Sequence, residues 1–308
     1  MEIITSLDEI NLGSCKSGVA LGTFDGVHIG HQTLLINLVD MCRRNHLNSI
    51  VYTFRNHPRS LTSVKGAPEK IMSGKSKLQM FRELGIDYVV SVAFDDYQRS
   101  LHPEQFIKEI LIEKLHMAYG VVGFDYRFGY KAQGDVNVLR QFRHKYGYEL
   151  MSIGAIKIEE EVISSTAIRK FIREGNMDKA NLFLGRKFSL EGIVVKGKEL
   201  GHKLGFPTAN ISIKENLVLP KPGVYYTKCI IDHKIYYSIT NVGYNPTFGE
   251  NPITVETHVL HFHGDLYGKK IEVQFYHRCR EEIKFSTIDG LIMQVQRDIQ
   301  SAKRFFNI

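Results

Sequence analysis

Cysteine is scarce and scattered in this chain of 308 residues. The four cysteines are Cys15, Cys42, Cys229 and Cys279, and none of them belongs to a C-x-x-C pair. Disulfide frameworks and cysteine-based metal sites normally show short, paired spacings. The sequence therefore argues against both kinds of site, and it fits the reducing environment of the cytoplasm.

Long apolar runs and dense basic clusters are also missing. The sequence has no run of about 18 apolar residues, the length that a membrane span needs, and its start, MEIITSLDEI, is too acidic for a signal peptide. Lys and Arg number 40 against 33 acidic residues, a net charge of +7. This excess suits anionic small molecules as well as nucleic acid, but the densest basic cluster, CRRNH, is too short for a nucleic-acid-binding arm. We expect a cytoplasmic protein with no membrane partner.

The first part of the chain alternates between strand and helix signals. Runs such as VALGTF (19–24) and SIVYTF (49–54) predict short buried strands. The segment between them predicts a helix whose apolar face comprises Leu34, Leu35, Leu38, Val39 and Cys42. Similar signals continue to about residue 146. Buried strands separated by helices predict an α/β fold with a doubly wound, Rossmann-like parallel sheet.

The second part of the chain consists mostly of strand signals. Two short helices, within SSTAIRKFIREGN and DKANLFL, precede a series of strands that begins at Phe188. Turn residues separate several of these strands, a pattern typical of an antiparallel barrel or sandwich. An amphipathic helix capped near Ser286 ends the chain. We therefore predict two domains, 1–185 and 186–308.

One segment of the first domain, GTFDGVHIGH, combines glycines and histidines where a parallel strand runs into a helix. Doubly wound folds bind ligands at that edge of the sheet. Gly26 and Gly30 allow the backbone to pass close to a phosphate, and helix N-termini favour anions. A metal site would need further ligands and usually has histidines four residues apart, whereas His28 and His31 are three apart. The segment favours phosphate binding, although an ordinary helix start with two histidines would look similar.

In the second domain, KGKELGHKLGFPTAN spaces three glycines four residues apart before Thr208 and Asn210. Such a loop can close over phosphates, and the hydroxyl and amide oxygens can act as weak Mg²⁺ ligands. The order of a P-loop is absent, and a glycine-rich turn is the plain alternative. Further along, Glu256 lies within a predicted strand, where an exposed glutamate without a chemical role would be common.

These segments belong to an ordered set of motifs that resembles the bacterial bifunctional riboflavin kinase/FMN adenylyltransferases, also called FAD synthetases. FDGVHIGH resembles the family's nucleotidyltransferase signature, H-x-G-H. The other matches, in chain order, are TFRNHP (53–58), VGFDYRFG (122–129), ISSTAIR (163–169), LGFPTAN (204–210), LPKPGVY (219–225), NVGYNPTF (241–248) and VETHVLHFHGDLYGKKIEVQF (255–275). The resemblance covers essentially the whole chain. It implies a nucleotidyltransferase-type α/β domain followed by a β-barrel riboflavin kinase domain with a C-terminal helix.

For the first domain, the resemblance implies transfer of AMP from ATP to FMN, which gives FAD and pyrophosphate. His28 and His31 would contact the ATP phosphates, in a pocket shaped by Gly22, Asp25 and Gly30. The polyphosphate would be held from the other side by Ser164, Ser165, Thr166 and Arg169. The flavin would be bound by Phe54, His57, Pro58, Asp125 and Phe128, although on sequence alone the aromatic residues among them would be core residues.

For the second domain, the resemblance implies phosphorylation of riboflavin to FMN by ATP. Glu256 would be the general base for the riboflavin 5′-hydroxyl, and Thr208 and Asn210 would hold Mg²⁺. The ATP phosphates would be covered by the loop of Gly197, Gly201, Lys203 and Gly205. We expect magnesium to serve both steps.

Three positions depart from the family's usual residues: Tyr126, His202 and His261. His202 replaces a frequent arginine and is expected to weaken a phosphate contact, while His261 replaces an acidic residue near the strand of Glu256. Because the proposed reactive groups are intact, we expect both activities. The alternatives are a chain with only the adenylyltransferase active, or a non-catalytic flavin-binding regulator. We expect only small-molecule partners, no nucleic acid, and a monomer or weak homo-oligomer.

Overall fold

The computed structural model describes residues 1–64, 66–197, 201, 204–244 and 253–308. The chain forms two compact units. The first comprises residues 1–69 and 74–164, and the second comprises residues 70–73 and 165–308. In the described part of the chain, no helix combines the length and apolar character that a membrane crossing requires.

The first unit is built on a parallel sheet. Its strands are β1 (Glu2–Ile4), β2 (Ser17–Leu21), β3 (Asn48–Phe54), β4 (Tyr88–Val92), β5 (Met117–Gly123) and β6 (Glu149–Ile153). The helices are α1 (Ile29–Arg44), α2 (Arg59–Thr62), α3 (Gly74–Glu83), α4 (Asp96–Ser100), α5 (Pro103–Gln105, continuing as a π-helix over Phe106–Lys114) and α6 (Val136–Tyr146). A short antiparallel pair, β7 (Lys157–Ile158) and β8 (Glu161–Val162), follows the sheet.

The strand order in this sheet is β1-β4-β3-β2-β5-β6, and all neighbouring pairs are parallel. The chain moves outward from β2 through β3 to β4, and then returns to place β5 on the other side of β2. The reversal lies between β2 and β5, and in doubly wound folds ligands bind at the carboxyl ends of the strands at such a point. The predicted doubly wound sheet is confirmed.

Helix α1 packs closely on the sheet. Its buried residues are Leu34, Leu35, Leu38, Val39 and Cys42, the set that helical spacing predicts. A Cβ at Gly18 in β2 would lie only 2.4 Å from the Sγ atom of Cys42, so glycine is required for this close approach. The packing fixes the start of α1 relative to the end of β2.

The second unit is built around a closed antiparallel barrel. Helices α7 (Ser165–Glu174) and α8 (Met177–Leu184) precede its strands, and α9 (Ile288–Phe306) ends the chain. The barrel strands are β9 (Phe188–Val195), β10 (Ala209–Ser212), β11 (Gly223–Ile231), β12 (Lys234–Tyr244), β13 (Ile253–Val259) and β14 (Lys270–Arg280). They close in the order β10-β13-β12-β11-β14-β9. Of the two predicted architectures, the structure is the barrel.

The barrel interior contains a small polar network among its apolar side chains. The hydroxyl of Thr227 lies 2.7 Å from that of Ser238 and 2.8 Å from that of Thr240. Thr240 in turn donates to the Thr257 hydroxyl at 2.8 Å. All four residues are fully buried. Since each hydroxyl has a partner, the network avoids the cost of burying unpaired polar groups and ties β11, β12 and β13 together.

A buried ion pair attaches α9 to the barrel. The Arg280 guanidinium on β14 donates to both carboxylate oxygens of Asp298, with distances of 2.6–3.1 Å. Gln294 donates a further hydrogen bond to Asp298 at 2.9 Å. The helix is capped by Thr287, whose hydroxyl accepts from the Gly290 N–H at 3.1 Å. The cap lies one residue after the predicted Ser286, a shift that leaves the helix as expected.

Replacing Asp298 by asparagine should destabilise the second unit by about 2 kcal/mol, because the half-buried Arg280 guanidinium would lose its charged partner. Urea-induced unfolding followed by circular dichroism measures the change. Asp232→Asn is the matched control, since its ion pair with Lys269 is exposed and should contribute less than about 1 kcal/mol. Equal losses in the two variants would show that the buried pair does not anchor α9.

Candidate active sites

The turn between β2 and α1 has an unusual backbone. Phe24, Gly26 and Val27 all have positive φ angles, of 50°, 80° and 36°. The left-handed region suits glycine, but for other residues it costs on the order of 1–3 kcal/mol each, and it is especially unfavourable for a β-branched valine. Phe24 and Val27 are both fully buried. Packing therefore holds this turn in a conformation that its own residues disfavour.

His28 and His31 meet at the start of α1. His28 is the N-cap residue, and its Nδ1 atom accepts a hydrogen bond from the His31 N–H at 3.3 Å. The two rings are stacked, with centroids 3.6 Å apart and planes at 16°. Because Nδ1 of His28 is an acceptor, the neutral ring carries its hydrogen on Nε2. That N–H and the positive end of α1 both favour an anion.

Gly30 lies directly beside the His28 ring. A Cβ at this position would lie 3.3 Å from the ring's Cε1 and Nδ1 atoms, tighter than ordinary van der Waals contact. Phe24 contacts the other histidine edge-on, with its ring centroid 5.2 Å from that of His31. Gly22 directly follows β2 and Asp25 lies in the turn, while Gly30 and His31 lie in the first turn of α1.

The loop after β5 lies beside this turn, because Leu21 of β2 pairs with Val122 of β5. Asp125 in this loop is exposed. Phe128 is only 7% exposed and packs between the rings of Phe106, at 5.4 Å, and Tyr126, at 5.7 Å. Phe128 is therefore largely a core residue, as sequence alone would suggest.

Two aromatic residues of this loop are more accessible than Phe128. Phe124 is 51% exposed, and Tyr126 is half-buried and stacked on Phe128. Burial raises the pKa of the Tyr126 phenol, so this ring adds no negative charge beside Asp125. The motif predicts a role for Asp125 and Phe128. It predicts none for Phe124, because this residue ends an apolar run that looks like any buried strand.

The loop after β3 ends at the same edge of the sheet, since β3 is the other neighbour of β2. Phe54 is half-buried and contacts Phe94 at 5.0 Å between centroids. The Asn56 side chain exchanges two hydrogen bonds with the Phe94 backbone, at 2.8 and 2.9 Å, and so joins the loops after β3 and β4. The Arg59 N–H donates to Nδ1 of His57 at 3.1 Å, and Pro58 is the N-cap residue of α2.

The serine-rich motif lies at the start of α7, with Ser164 as the last residue of the first compact unit and Ser165 as the first residue of the following segment of the second unit. Ser164 and Ser165 are half-buried, Thr166 is exposed, and α7 begins at Ser165. Arg169 is only 7% exposed. A buried guanidinium with five donors and a permanent charge suits carboxylates or phosphates.

On the barrel, Glu256 lies between two asparagines. It is directly opposite Asn210 on β10 and Asn241 on β12. Residues that pair across strands point to the same face of the sheet. The neighbours Val255 and Thr257 are buried inside the barrel, so Glu256 and the two asparagines are on its outer face. The carboxylate and the two amides form one polar row.

The glycine-rich segment folds against this row. A Cβ at Gly197 would lie 2.3 Å from Nδ2 of Asn210, and one at Gly201 would lie 3.4 Å from Oγ1 of Thr208. Gly205 has a φ of +82°, which favours glycine. Gly197, Gly201, Thr208 and Asn210 therefore lie close together. His202 and Lys203 lie outside the described residues.

His258 connects the glycine-rich segment to the strand of Glu256. One of its ring nitrogens, Nδ1, lies 2.9 Å from the Pro207 carbonyl oxygen, just before Thr208. Since a carbonyl can only accept, Nδ1 carries the hydrogen in this contact. His261 is exposed with a φ of +56°, in the turn that follows β13. It thus lies beyond the end of the strand that carries Glu256.

Oxygen donors dominate the barrel site. The Thr208 hydroxyl and the Asn210 amide oxygen are hard ligands of the kind that Mg²⁺ accepts beside phosphate oxygens, and the Glu256 carboxylate lies opposite Asn210. Within the described ranges, no group of three or more His, Cys, Asp or Glu side chains is arranged to hold a metal ion by itself. This donor set therefore fits a magnesium ion that shares its coordination with a nucleotide.

Comparison with known proteins matches the two parts of the chain to two different enzyme families. The sequence profile of the FAD synthetase family matches residues 13–167, and that of the riboflavin kinase family matches residues 184–306. The chain is 34% identical over 313 residues to the bifunctional riboflavin kinase/FMN adenylyltransferase of Buchnera aphidicola subsp. Schizaphis graminum, and 32% identical over 308 residues to that of Haemophilus influenzae, with 100% of each chain covered. The enzyme of the same name from Escherichia coli K12 is 34% identical over 94% of this chain and 93% of its own.

Among solved structures, a crystal structure described as a macrolide-efflux protein from Streptococcus pneumoniae is similar over 98% of both chains, with 28% identity and a TM-score of 0.89. The full-length relatives and the two matching profiles agree on one family. The chain belongs to the bifunctional riboflavin kinase/FMN adenylyltransferase family.

Proposed function

We propose that this chain makes FAD from riboflavin in two ATP-dependent steps, with AMP transfer assigned to residues 1–185 and riboflavin phosphorylation to residues 186–308. The observation that carries the proposal is the end-to-end similarity to bifunctional relatives. The two polar sites described above provide a place for each reaction. Mg²⁺ is the proposed metal for both steps, and it would neutralise charge on the phosphate oxygens when bound.

In the first domain, an oxygen of the FMN phosphate attacks the α-phosphorus of ATP. The new bond joins FMN to AMP, while the bond from the α-phosphorus to the bridging oxygen breaks and releases pyrophosphate. His28 and His31 donate hydrogen bonds to the phosphates as charge develops, at the positive end of α1. Gly22, Asp25 and Gly30 shape the pocket, and Ser164, Ser165, Thr166 and Arg169 hold the polyphosphate.

The flavin of FMN is bound at the same edge of the sheet. Phe54, His57, Pro58, Asp125 and Phe128 are the proposed flavin residues. The adjacency of β3, β2 and β5 supports this assignment, because their loops end next to each other. Asp125 is exposed and can accept hydrogen bonds from ring or ribityl groups.

In the second domain, Glu256 accepts the proton of the riboflavin 5′-hydroxyl as the oxygen attacks the γ-phosphorus of ATP. FMN and ADP are the products. Thr208 and Asn210 are the proposed Mg²⁺ ligands, and Gly197, Gly201, Lys203 and Gly205 form the loop that covers the phosphates. The cross-strand position of Asn210 opposite Glu256 supports this assignment, because it brings the proposed base next to a proposed metal ligand.

We further propose that the protein works in the cytoplasm on small molecules alone, as a monomer or weak homo-oligomer without nucleic-acid or membrane partners. All four cysteines are free thiols, which suits a reducing compartment. The substrates are riboflavin, FMN and ATP, all of them small molecules.

Two substitutions should separate the two reactions. His31→Ala should lower FMN-to-FAD conversion about 100-fold and spare riboflavin phosphorylation, because one donor to the phosphates is lost. Glu256→Gln should do the reverse, since it removes a general base that contributes about 100-fold or more.

The flavins formed by purified protein with ATP and Mg²⁺ are resolved by chromatography, starting from riboflavin and, separately, from FMN. If the wild type forms FAD from FMN but does not phosphorylate riboflavin, the chain has only the adenylyltransferase activity. If the wild type binds flavin but converts neither substrate, the alternative of a non-catalytic flavin-binding regulator is favoured. Loss of both steps in one folded variant would contradict the assignment of separate sites.

Gly197→Ala should lower riboflavin phosphorylation at least about tenfold, because the new methyl group displaces the Asn210 side chain and small displacements of catalytic groups are costly. Steady-state rates of FMN formation measure the effect. Gly268→Ala is the control: unlike Gly197, Gly268 has a positive φ, of +75°, so its substitution strains the backbone, but the new methyl group would meet no atom within 4 Å. A full rate in Gly197→Ala would show that Asn210 is not needed at this position.

Removing magnesium with EDTA should stop both steps, because each reaction needs charge on the ATP phosphates to be neutralised. Adding Mg²⁺ in excess of the chelator should restore both rates. The measurement is FMN and FAD formation before and after chelation. Undiminished turnover of either step in EDTA would contradict the proposed metal requirement of that step.

A further inference from the structure

Helix α3 contacts the strained turn of the first domain at two points. Lys77 and Phe81 are four residues apart, so they lie on the same face of the helix. The Lys77 ammonium donates a hydrogen bond to the Thr23 carbonyl oxygen at 3.2 Å. The Phe81 ring packs edge-on against the Phe24 ring, with centroids 5.8 Å apart and planes at 89°. One helix therefore holds two consecutive residues of the turn.

The Thr23 carbonyl oxygen is held from a second direction by β3. The Thr53 hydroxyl donates to it at 3.3 Å, and the Lys77 Nζ atom lies 3.5 Å from the same hydroxyl. On the far side of the turn, the Gln32 side chain donates to the Val27 carbonyl at 2.8 Å. These hydrogen bonds bracket the stretch that contains the positive φ angles of Phe24 and Val27.

The position of the turn determines where the two imidazole rings lie. Phe24 follows Thr23 in the chain, and its ring contacts His31. His31 is stacked on His28, which in turn caps α1 immediately after Val27. A displacement of the Thr23 carbonyl therefore displaces the groups that would face the ATP phosphates.

We propose that Lys77 is a positioning residue for adenylyl transfer, and that its bond to the Thr23 carbonyl keeps the strained turn, and so His28 and His31, in the reactive arrangement. The inference rests on the proposed function of these histidines. Its effect should fall on the rate of the chemical step, because misplacing catalytic groups by about 1 Å can cost about 100-fold in rate.

The test compares Lys77→Met, Lys77→Arg and the control Lys75→Met in the full-length chain. Lys75 is an exposed lysine on the same helix. We expect Lys77→Met to lower the kcat of FMN-to-FAD conversion about 10- to 100-fold with the KM for ATP changed less than about threefold. Lys77→Arg, which keeps a charged donor, should recover most of the rate, and Lys75→Met should match the wild type.

Circular dichroism of the same samples during thermal unfolding reports whether the first domain is folded, and riboflavin phosphorylation, a reaction of the second domain, should remain at the wild-type rate in all three variants. If Lys77→Met fails to fold, Thr53→Val tests the same carbonyl and should lower the same kcat. In a folded Lys77→Met/Thr53→Val double variant, the fold-loss in kcat should be smaller than the product of the two single-variant losses. The reason is that both hydrogen bonds hold the same oxygen atom.

Three results would overturn the inference. They are an unchanged kcat in Lys77→Met, an unchanged kcat in Thr53→Val, or a raised KM for ATP with kcat retained, which would indicate that Lys77 binds the nucleotide directly. His31→Ala separates this inference from the proposed function: if that variant makes FAD at the wild-type rate, the role of the histidines is wrong, whatever Lys77 does.

Discussion

Strands β2 and β5 are hydrogen-bonded neighbours at the point where the strand order reverses. Strands β3 and β4 follow on the side of β2, and β6 follows on the side of β5. In doubly wound sheets, ligands bind at the carboxyl ends of the strands where such a reversal occurs. The turn with His28 and His31 follows one strand, and the loop with Asp125 follows the other. The proposed nucleotide site and the proposed flavin site therefore adjoin because of sheet topology, with each loop contributing only a few side chains.

The turn after β2 shows how the rest of the domain supports the site. Phe24 and Val27 hold backbone conformations that cost free energy, and buried contacts with α3, β3 and α1 offset that cost. The barrel holds the described residues of its proposed site in position without backbone strain of this kind. Glu256 lies in a regular strand, and its asparagine neighbours follow from strand pairing alone. One site depends on strain held by packing, whereas the other depends on the register of a sheet.

Periodic features of this fold are readable from the sequence, whereas contacts between distant segments are not. The apolar face of α1 follows from helical spacing, and the barrel strands other than β10 follow from their runs of β-branched and aromatic residues. Closure of the barrel depends on β10, which has only four residues and pairs with β9 and β13, so barrel and sandwich could not be told apart. Asp298 and Lys77 look like surface charges in helical patterns, and only the folded structure reveals their partners. Positive φ at Phe24 and Val27 is likewise imposed by tertiary packing.

The central claim is that one chain carries out two different phosphorus transfers, one at each site. The most direct test supplies riboflavin with ATP labelled at either the γ- or the α-phosphorus, and then follows the label into FAD. The account predicts that γ-label enters FAD through its FMN phosphate and that α-label enters through its AMP phosphate, one atom from each source. FAD that carries α-label without γ-label, or γ-labelled FMN that never becomes FAD, would contradict it.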